Sequence, residues 1–298
     1  MEIKKVGIIG TGAMGRGIAQ VCAQAGTLVV AVKATPGSFD KAKNSLVGGL
    51  AKLVEKGKLS GDERDAIVGR ITFSNEERAV ADCDLIIESV VEDLDIKKKT
   101  FQRLEKICRK DAILTTNTST LSVTALMAVC EGRGRIAGLH FFNPAPVMKL
   151  VEVIHGFETS DTTLESLVKF CEAIGKSPVV VQDTTGFIVN RLLTPYMLNA
   201  IRMLERGTGT IESIDAAMKL GAGHPMGPFQ LADYIGLDVV EAMAKNIFDD
   251  VRHEHHAPPH TLTRLVQLGY LGKKSGKGFY DYGKNPPVQN PALVRPVI

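Results

Sequence analysis

Paired cysteine is the first thing missing from this chain. Five cysteines, Cys22, Cys83, Cys108, Cys130 and Cys171, are scattered singly through 298 residues. No Cys-x-x-Cys and no zinc-type spacing occurs, so a disulfide framework is excluded and a reducing compartment fits. No apolar run approaches the ~18 residues of a spanning helix, and no membrane partner is expected. Charge of one sign is also lacking. Thirty-six Lys and Arg against thirty-three Asp and Glu leave a formal +3, too little to announce a nucleic-acid partner. There is no internal repeat or low-complexity stretch. The first six residues run straight into an apolar segment and leave no room for a signal or transit peptide, so the expected location is cytoplasmic.

What is present is ordinary globular composition, 44% hydrophobic and 23% charged, which excludes long disorder. Single cores stop growing at roughly 250 to 300 residues, so two domains are expected. Residues 6–9 form a short apolar run entering Gly10, and residues 14–24 carry apolar positions at helical spacing. A second strand follows at 28–32, then helices at 40–55 and 62–68. Further buried strands are expected at 85–91, 112–116, 135–141, 151–154 and 179–181, with helical segments between several of them. This alternation predicts an α/β domain, a Rossmann-type, doubly wound, mostly parallel sheet with helices on both faces. After residue 181 the pattern changes to helices at 186–206, 210–219, 228–235 and 237–251. The expected division is a dinucleotide-binding domain over 1–184, an all-helical substrate-binding and dimerisation domain over 185–283, and a loose tail over 284–298.

Gly10-Thr11-Gly12-Ala13-Met14-Gly15 is a G-x-G-x-x-G loop between the first strand and the first helix, the context in which it binds a dinucleotide pyrophosphate. Gly10 permits the turn, Gly12 lets backbone approach the anion, and Gly15 lets helix pack on strand, while the helix N-terminus offers N–H groups. An acidic residue for the adenosine ribose belongs about 20 residues further on. Lys33 stands there instead. With Thr35 and Ser38 it either attracts the 2'-phosphate of NADP or is a solvated lysine beside an NAD site.

Four further stretches resemble the 3-hydroxyacyl-CoA dehydrogenase family, including its bacterial 3-hydroxybutyryl-CoA members. They are Asn117-Thr118-Ser119, His140-Phe141-Phe142-Asn143-Pro144, Met148-Lys149-Leu150-Val151-Glu152 and Gly186-Phe187-Ile188-Val189-Asn190-Arg191. His224-Pro225-Met226-Gly227-Pro228 and Lys273-Lys274-Ser275-Gly276-Lys277-Gly278-Phe279-Tyr280 agree as well, so the resemblance runs from Val6 to Tyr282. It implies an NAD(P)-dependent enzyme interconverting a short (3S)-3-hydroxyacyl-CoA, such as 3-hydroxybutyryl-CoA, and its 3-ketoacyl-CoA, such as acetoacetyl-CoA.

Oxidising a secondary alcohol needs a base for the hydroxyl proton while hydride leaves carbon, and an imidazole suits both directions near neutral pH. His140 closes an apolar strand at the carboxyl end of the sheet, where ligands bind in such folds. Glu152, on the next strand, is placed to fix its tautomer and stabilise the imidazolium. Outside the resemblance, a histidine between Leu139 and Phe141 reads as a core residue. The resemblance implies that Asn190 polarises the 3-oxygen and that Ser119 contacts substrate and cofactor. From local composition, Asn190 is a helix amide and Ser119 a turn or cap residue. The resemblance also puts Glu92, Lys97, Asn143 and Lys274 along the dinucleotide.

The phosphates of CoA call for basic side chains, and Lys43, Lys52 and Lys56 on the 40–55 helix and its end are the candidates; surface solvation is the alternative. His253, Glu254, His255, His256 and His260 lack the H-E-x-x-H pattern, with Pro258 and Pro259 interrupting, and read as exposed loop residues that hold no metal. Two other functions compete: a Rossmann dehydrogenase of free 3-hydroxy acids, for which Arg191 is the only carboxylate handle, and a non-catalytic dinucleotide-binding relative. Leu192, Leu193, Tyr196, Met197 and Ile201 look exposed and predict a homodimer through the helical domain.

Overall fold

Apolar runs of four to six residues become the strands of the main sheet in the computed structural model, which describes residues 1–293. The first of two units spans Met1–Phe187. It runs β1 (Lys5–Ile9), α1 (Ala13–Gln24), β2 (Leu28–Val32), α2 (Asp40–Glu55), α3 (Gly61–Gly69) and β3 (Ile71–Ser74). It continues through β4 (Leu85–Glu88), α4 (Leu94–Ile107), β5 (Ile113–Thr116), α5 (Val123–Met127), β6 (Ile136–Phe141), β7 (Leu150–His155), α6 (Asp161–Ala173) and β8 (Ser177–Gln182). The eight strands are ordered β3-β2-β1-β4-β5-β6-β7-β8, and every neighbouring pair is parallel except β6 with β7. The order reverses direction between β1 and β4, which opens a crevice at their carboxyl ends.

Strand residues alternate between two apolar cores because successive side chains point to opposite faces. Ile8, Val29, Leu85, Leu139, Phe141 and Val153 join residues of α1, α2, α3 and α6 on one face. Ile9, Val30, Ile86, Leu114, Ile136 and Ile154 join α4 and α5 on the other. Each such Leu, Ile or Phe removed from water contributes roughly 1.5–3 kcal/mol before entropy is subtracted.

Two differences from expectation lie in this unit. β3 is an edge strand of four residues with only Ile71 buried, too short and too polar for periodicity to reveal. The strand expected over 85–91 ends at Glu88, because the carboxylate of Glu88 accepts the Val90 N–H at 2.7 Å and turns the chain away.

The second unit begins at Ile188 and contains α7 (Val189–Glu205), α8 (Ile211–Ala222), α9 (Pro228–Ile235), α10 (Leu237–Val251) and α11 (His260–Gln267) around one apolar core. The helix expected from 186 starts only at Val189, since Gly186 and Phe187 have positive φ values of 82° and 49°. α11 was not foreseen: Pro259 precedes its first residue, His260, which is therefore helical and not a loop histidine. The tail beyond Gly283 is not loose throughout. β10 (Val288–Gln289) pairs antiparallel with β9 (Tyr280–Asp281), and the buried Asn290 donates its amide to Gly278 O at 2.8 Å. Residues 294–298 of that tail lie outside the described residues.

Two buried carboxylates organise this unit. Asp215 accepts the N–H groups of Phe229 and Gln230 at the start of α9 and the Tyr280 hydroxyl. Asp233 accepts the N–H groups of Phe279 and Tyr280 and the Tyr282 hydroxyl. A Cβ at Gly227 would stand 2.3 Å from the Asp215 carboxyl, and one at Gly278 would stand 2.0 Å from Asp233 Oδ1. These glycines of the two C-terminal motifs serve backbone packing. Of the apolar residues expected to be exposed, Met197 and Ile201 are buried in the unit's own core, Leu193 and Tyr196 pack against it, and only Leu192 is open to solvent. Their helical spacing follows the inner face of α7.

Candidate functional site

The carboxyl edge of the sheet carries the glycine loop. Gly10, with φ of 110°, lies so close to β4 that a Cβ would meet Ser89 O at 2.3 Å, and a Cβ on Gly15 would meet Gly10 O at 1.9 Å. Around Gly12 nothing lies within 4 Å of the Cβ position. Gly12 is also the N-cap of α1, with no side-chain cap and no acidic residue in the first turn. Arg16 Nη1 donates to Thr11 O at 3.0 Å and braces the loop. Ala13 and Met14 open the helix. A helix N-terminus with free approach at one glycine and contact at the other two fits a dinucleotide pyrophosphate.

Next to it, Glu88 at the end of β4 is fully buried and accepts Lys97 Nζ at 2.8 and 3.0 Å and Thr116 Oγ1 at 2.7 Å. Lys97, itself 1% exposed, also pairs with Glu92 at 3.3 Å. Glu92 then accepts Thr118 Oγ1 and the Ser119 N–H, at 2.5 and 2.9 Å. The network joins the loops after β4 and β5. Of the two residues expected along a dinucleotide here, Glu92 is the partly exposed one and Lys97 lies beneath it. Asn117 Oδ1 accepts the Phe141 N–H at 2.8 Å and fixes the end of β6 to the same loop.

His140 and Glu152 are directly opposed in the antiparallel β6–β7 pair, both buried, with His140 Nδ1 2.7 Å from Glu152 Oε2. With Nδ1 protonated, the imidazole donates this hydrogen bond to the carboxylate, which holds one tautomer and turns Nε2 away from Glu152. Phe142 and Phe187 flank the imidazole, with ring centroids at 4.5 and 5.6 Å. β6 lies three strand positions from β1, roughly 14 Å along the edge at about 4.8 Å per strand, so an extended dinucleotide can span from glycine loop to histidine.

The remaining expected residues belong to both units. Asn143 is exposed on the loop after β6, and Ser119 is half-buried. Lys33 Nζ donates to Thr35 O, Thr35 Oγ1 and Pro36 O at 2.6, 2.9 and 2.5 Å, wrapping its own loop, while Ser38 pairs with Asp40. Lys43, Lys52 and Lys56 are exposed on α2 and at its end. In the second unit, Asn190 is half-buried in the first turn of α7, Lys274 pairs with Asp238 at 2.6 Å, and Arg191 lies 3.9 Å from Asp250. His253 and His255 stack at 4.7 Å. Sequence reasoning missed Glu88 and Thr116, and carried Asn117 only as part of a motif, with no role of its own. The signal for Glu88 was a carboxylate ending a buried apolar run, which must find a cation or donors.

The comparisons agree along the chain. Residues 5–184 match the model for the 3-hydroxyacyl-CoA dehydrogenase NAD binding domain, and residues 186–282 the model for the C-terminal domain of that family. The mitochondrial hydroxyacyl-coenzyme A dehydrogenase of Homo sapiens is 45% identical over 287 residues, covering 94% of this chain and 91% of its own. A 3-hydroxybutyryl-CoA dehydrogenase of Mycobacterium tuberculosis is 40% identical over 282 residues, covering 94% and 99%. The crystal structure of (S)-3-hydroxybutyryl-CoA dehydrogenase from Ralstonia eutropha superposes with a TM-score of 0.91 at 38% identity, covering 95% and 100%.

Proposed function

Because the chain belongs to the 3-hydroxyacyl-CoA dehydrogenase family, an oxidoreductase family, we propose that it interconverts a short (3S)-3-hydroxyacyl-CoA, such as 3-hydroxybutyryl-CoA, and the corresponding 3-ketoacyl-CoA. The observation that carries the reading is the buried His140–Glu152 pair at 2.7 Å on the edge that also holds the glycine loop. In the oxidation, His140 Nε2 takes the hydroxyl proton of the substrate as hydride leaves C3, and Glu152 stabilises the imidazolium that results. In the reduction the same nitrogen returns the proton to the 3-oxygen. A nicotinamide dinucleotide, when bound, supplies or accepts the hydride. Backbone N–H groups at the start of α1 hold its pyrophosphate, and Glu92 and Asn143 line its path. On their motifs, Asn190 is assigned to the 3-oxygen and Ser119 to contact with substrate and cofactor.

Residues 33–39 contain no carboxylate. The Lys33 ammonium, which bonds within its own loop, is the cation at that position, so the reading admits NADP as well as NAD. It includes a reducing, cytoplasmic setting, supported by five buried free thiols, and a homodimer through the helical unit, supported by exposed Leu192, Leu220 and Leu268. A monomer in sedimentation at micromolar concentration removes the dimer.

The deciding measurement is the initial rate of acetoacetyl-CoA reduction with NADH and with NADPH, on wild type and on His140→Ala. Turnover that the substitution abolishes supports the reading. No turnover with either nucleotide returns the free-acid dehydrogenase or the non-catalytic protein to the front.

A further inference from the structure

The loop over 142–149 joins the two strands that carry His140 and Glu152, and it is gripped from both sides. On one side it meets α1: a Cβ on Gly17 would lie 3.2 Å from Ala145 Cβ and 3.2 Å from Pro146 Cδ. On the other side stands Lys176, which follows α6 and is only 8% exposed. Its Nζ donates to Ala145 O at 2.6 Å and to Met148 O at 2.7 Å. The backbone supports this placement, because Gly175 turns with φ of 72° and the Lys176 N–H closes on Cys171 O at 2.9 Å.

A buried ammonium usually sits against a carboxylate. Among the described residues, the charged or ionisable groups that act on Lys176 are Lys149, Cys22 and Cys171, and none is a carboxylate. The charge is spent on two loop carbonyls, and charge-assisted bonds are stronger than the neutral bonds holding the rest of this loop, from the Val147 and Met148 N–H groups to Pro144 O. Ala145 is two residues past Asn143, and Met148 is four residues before Glu152.

We propose that Lys176 is a positioning residue for the reaction edge, setting through the 142–149 loop where Asn143 lies against the dinucleotide and how β6 and β7 present the His140–Glu152 pair. It touches neither substrate nor reacting atoms. The assignment rests on the reading of His140 and Asn143 given above. It differs from a purely structural role in what it predicts: loss of the clamp moves dinucleotide affinity and turnover, and an arginine, which restores charged donors, recovers part of the loss.

The test compares Lys176→Met and Lys176→Arg in the full chain, by NADH fluorescence titration, kinetics of acetoacetyl-CoA reduction and melting temperature. Lys176→Met is expected to raise the Kd for NADH about tenfold and to lower kcat with little change in the KM for acetoacetyl-CoA, since a small displacement at a reaction edge is costly in rate. Lys176→Arg, which restores charged donors in a bulkier head, is expected to recover part of the affinity lost in Lys176→Met. If Lys176→Met melts lower but binds NADH and turns over as wild type does, the residue is structural only and the proposal falls. Should Lys176→Met not fold, Lys176→Gln, which loses the charge and keeps only a neutral amide donor, is expected to raise the Kd for NADH about threefold, and a wild-type Kd and kcat in it overturn the proposal. The NADH titration stands apart from substrate identity, so a wild type that binds NADH but ignores acetoacetyl-CoA overturns the substrate reading and still leaves Lys176 decided by affinity.

Discussion

Lys97 Nζ and Glu88 form an ion pair at 2.8 Å in which neither side chain is more than 1% exposed. Removing one member of such a pair strands the other charge, whereas removing both does not. Glu88→Gln and Lys97→Met are each expected to destabilise the first unit by about 3 kcal/mol, and the double variant by much less than their sum. A double-mutant cycle in urea unfolding checks this. Additive losses would show that the pair contributes no coupling.

His140→Ala is expected to lower kcat for acetoacetyl-CoA reduction by about 10³-fold, in the range general acid–base groups contribute. NADH affinity should stay within about twofold. Glu152→Gln should reduce kcat by less, because it acts only through the imidazole. Stopped-flow single-turnover rates separate these effects from product release.

Gly12 and Gly15 should fail in different ways. Gly12→Val extends into open space, so the melting temperature should hold while NADH binding is lost. Gly15→Ala forces a Cβ to 1.9 Å from Gly10 O, so the melting temperature itself should fall, by several degrees for a loss of about 1–3 kcal/mol. Calorimetry beside fluorescence titration distinguishes the two.

The Asp233 carboxyl is pushed up from its ordinary 3.8 to about 6, first by burial, against the lowering effect of its hydrogen-bond donors. A raised carboxyl pKa means that between those values the folded chain binds more protons than the unfolded one. The contribution of this group is therefore full below about pH 4, declines as pH rises to about 6 and is constant above. Asp233→Asn should be less stable overall and lack that part of the slope, which denaturation midpoints from pH 4 to 7 would reveal.

Lys33→Asp places a carboxylate where the adenosine ribose is expected. It should weaken NADPH binding about tenfold and tighten NADH binding. Equal affinities in wild type and variant would mean that Lys33, already bonded to Thr35 and Pro36, does not meet the nucleotide.

The alternating fold was legible because buried strands and amphipathic helices follow different periods: β2, α2, α9 and α10 fall on the expected residues. β3 and α11 were hidden, the first by its length and edge position, the second behind two prolines that read as a break. At the site, the glycine loop and the His140–Glu152 pair could be read from motif and strand order. Glu88 and Lys176 could not. Their roles depend on which distant carbonyls, ammonium groups and N–H donors surround them, and no spacing along the chain encodes that. The apolar residues of α7 show the converse error, since their pattern marked an inner face as an outer one.

The two-residue repeat of strand faces gives His140 and Glu152 a second consequence. Leu139 and Phe141 belong to the opposite core, so sliding β6 by one residue against β7 would set a hydrocarbon across from a buried carboxylate and leave the imidazole without its acceptor. The one antiparallel joint in an otherwise parallel sheet thus carries its own proofreading: a misaligned hairpin is penalised by the same two groups that, in register, satisfy each other.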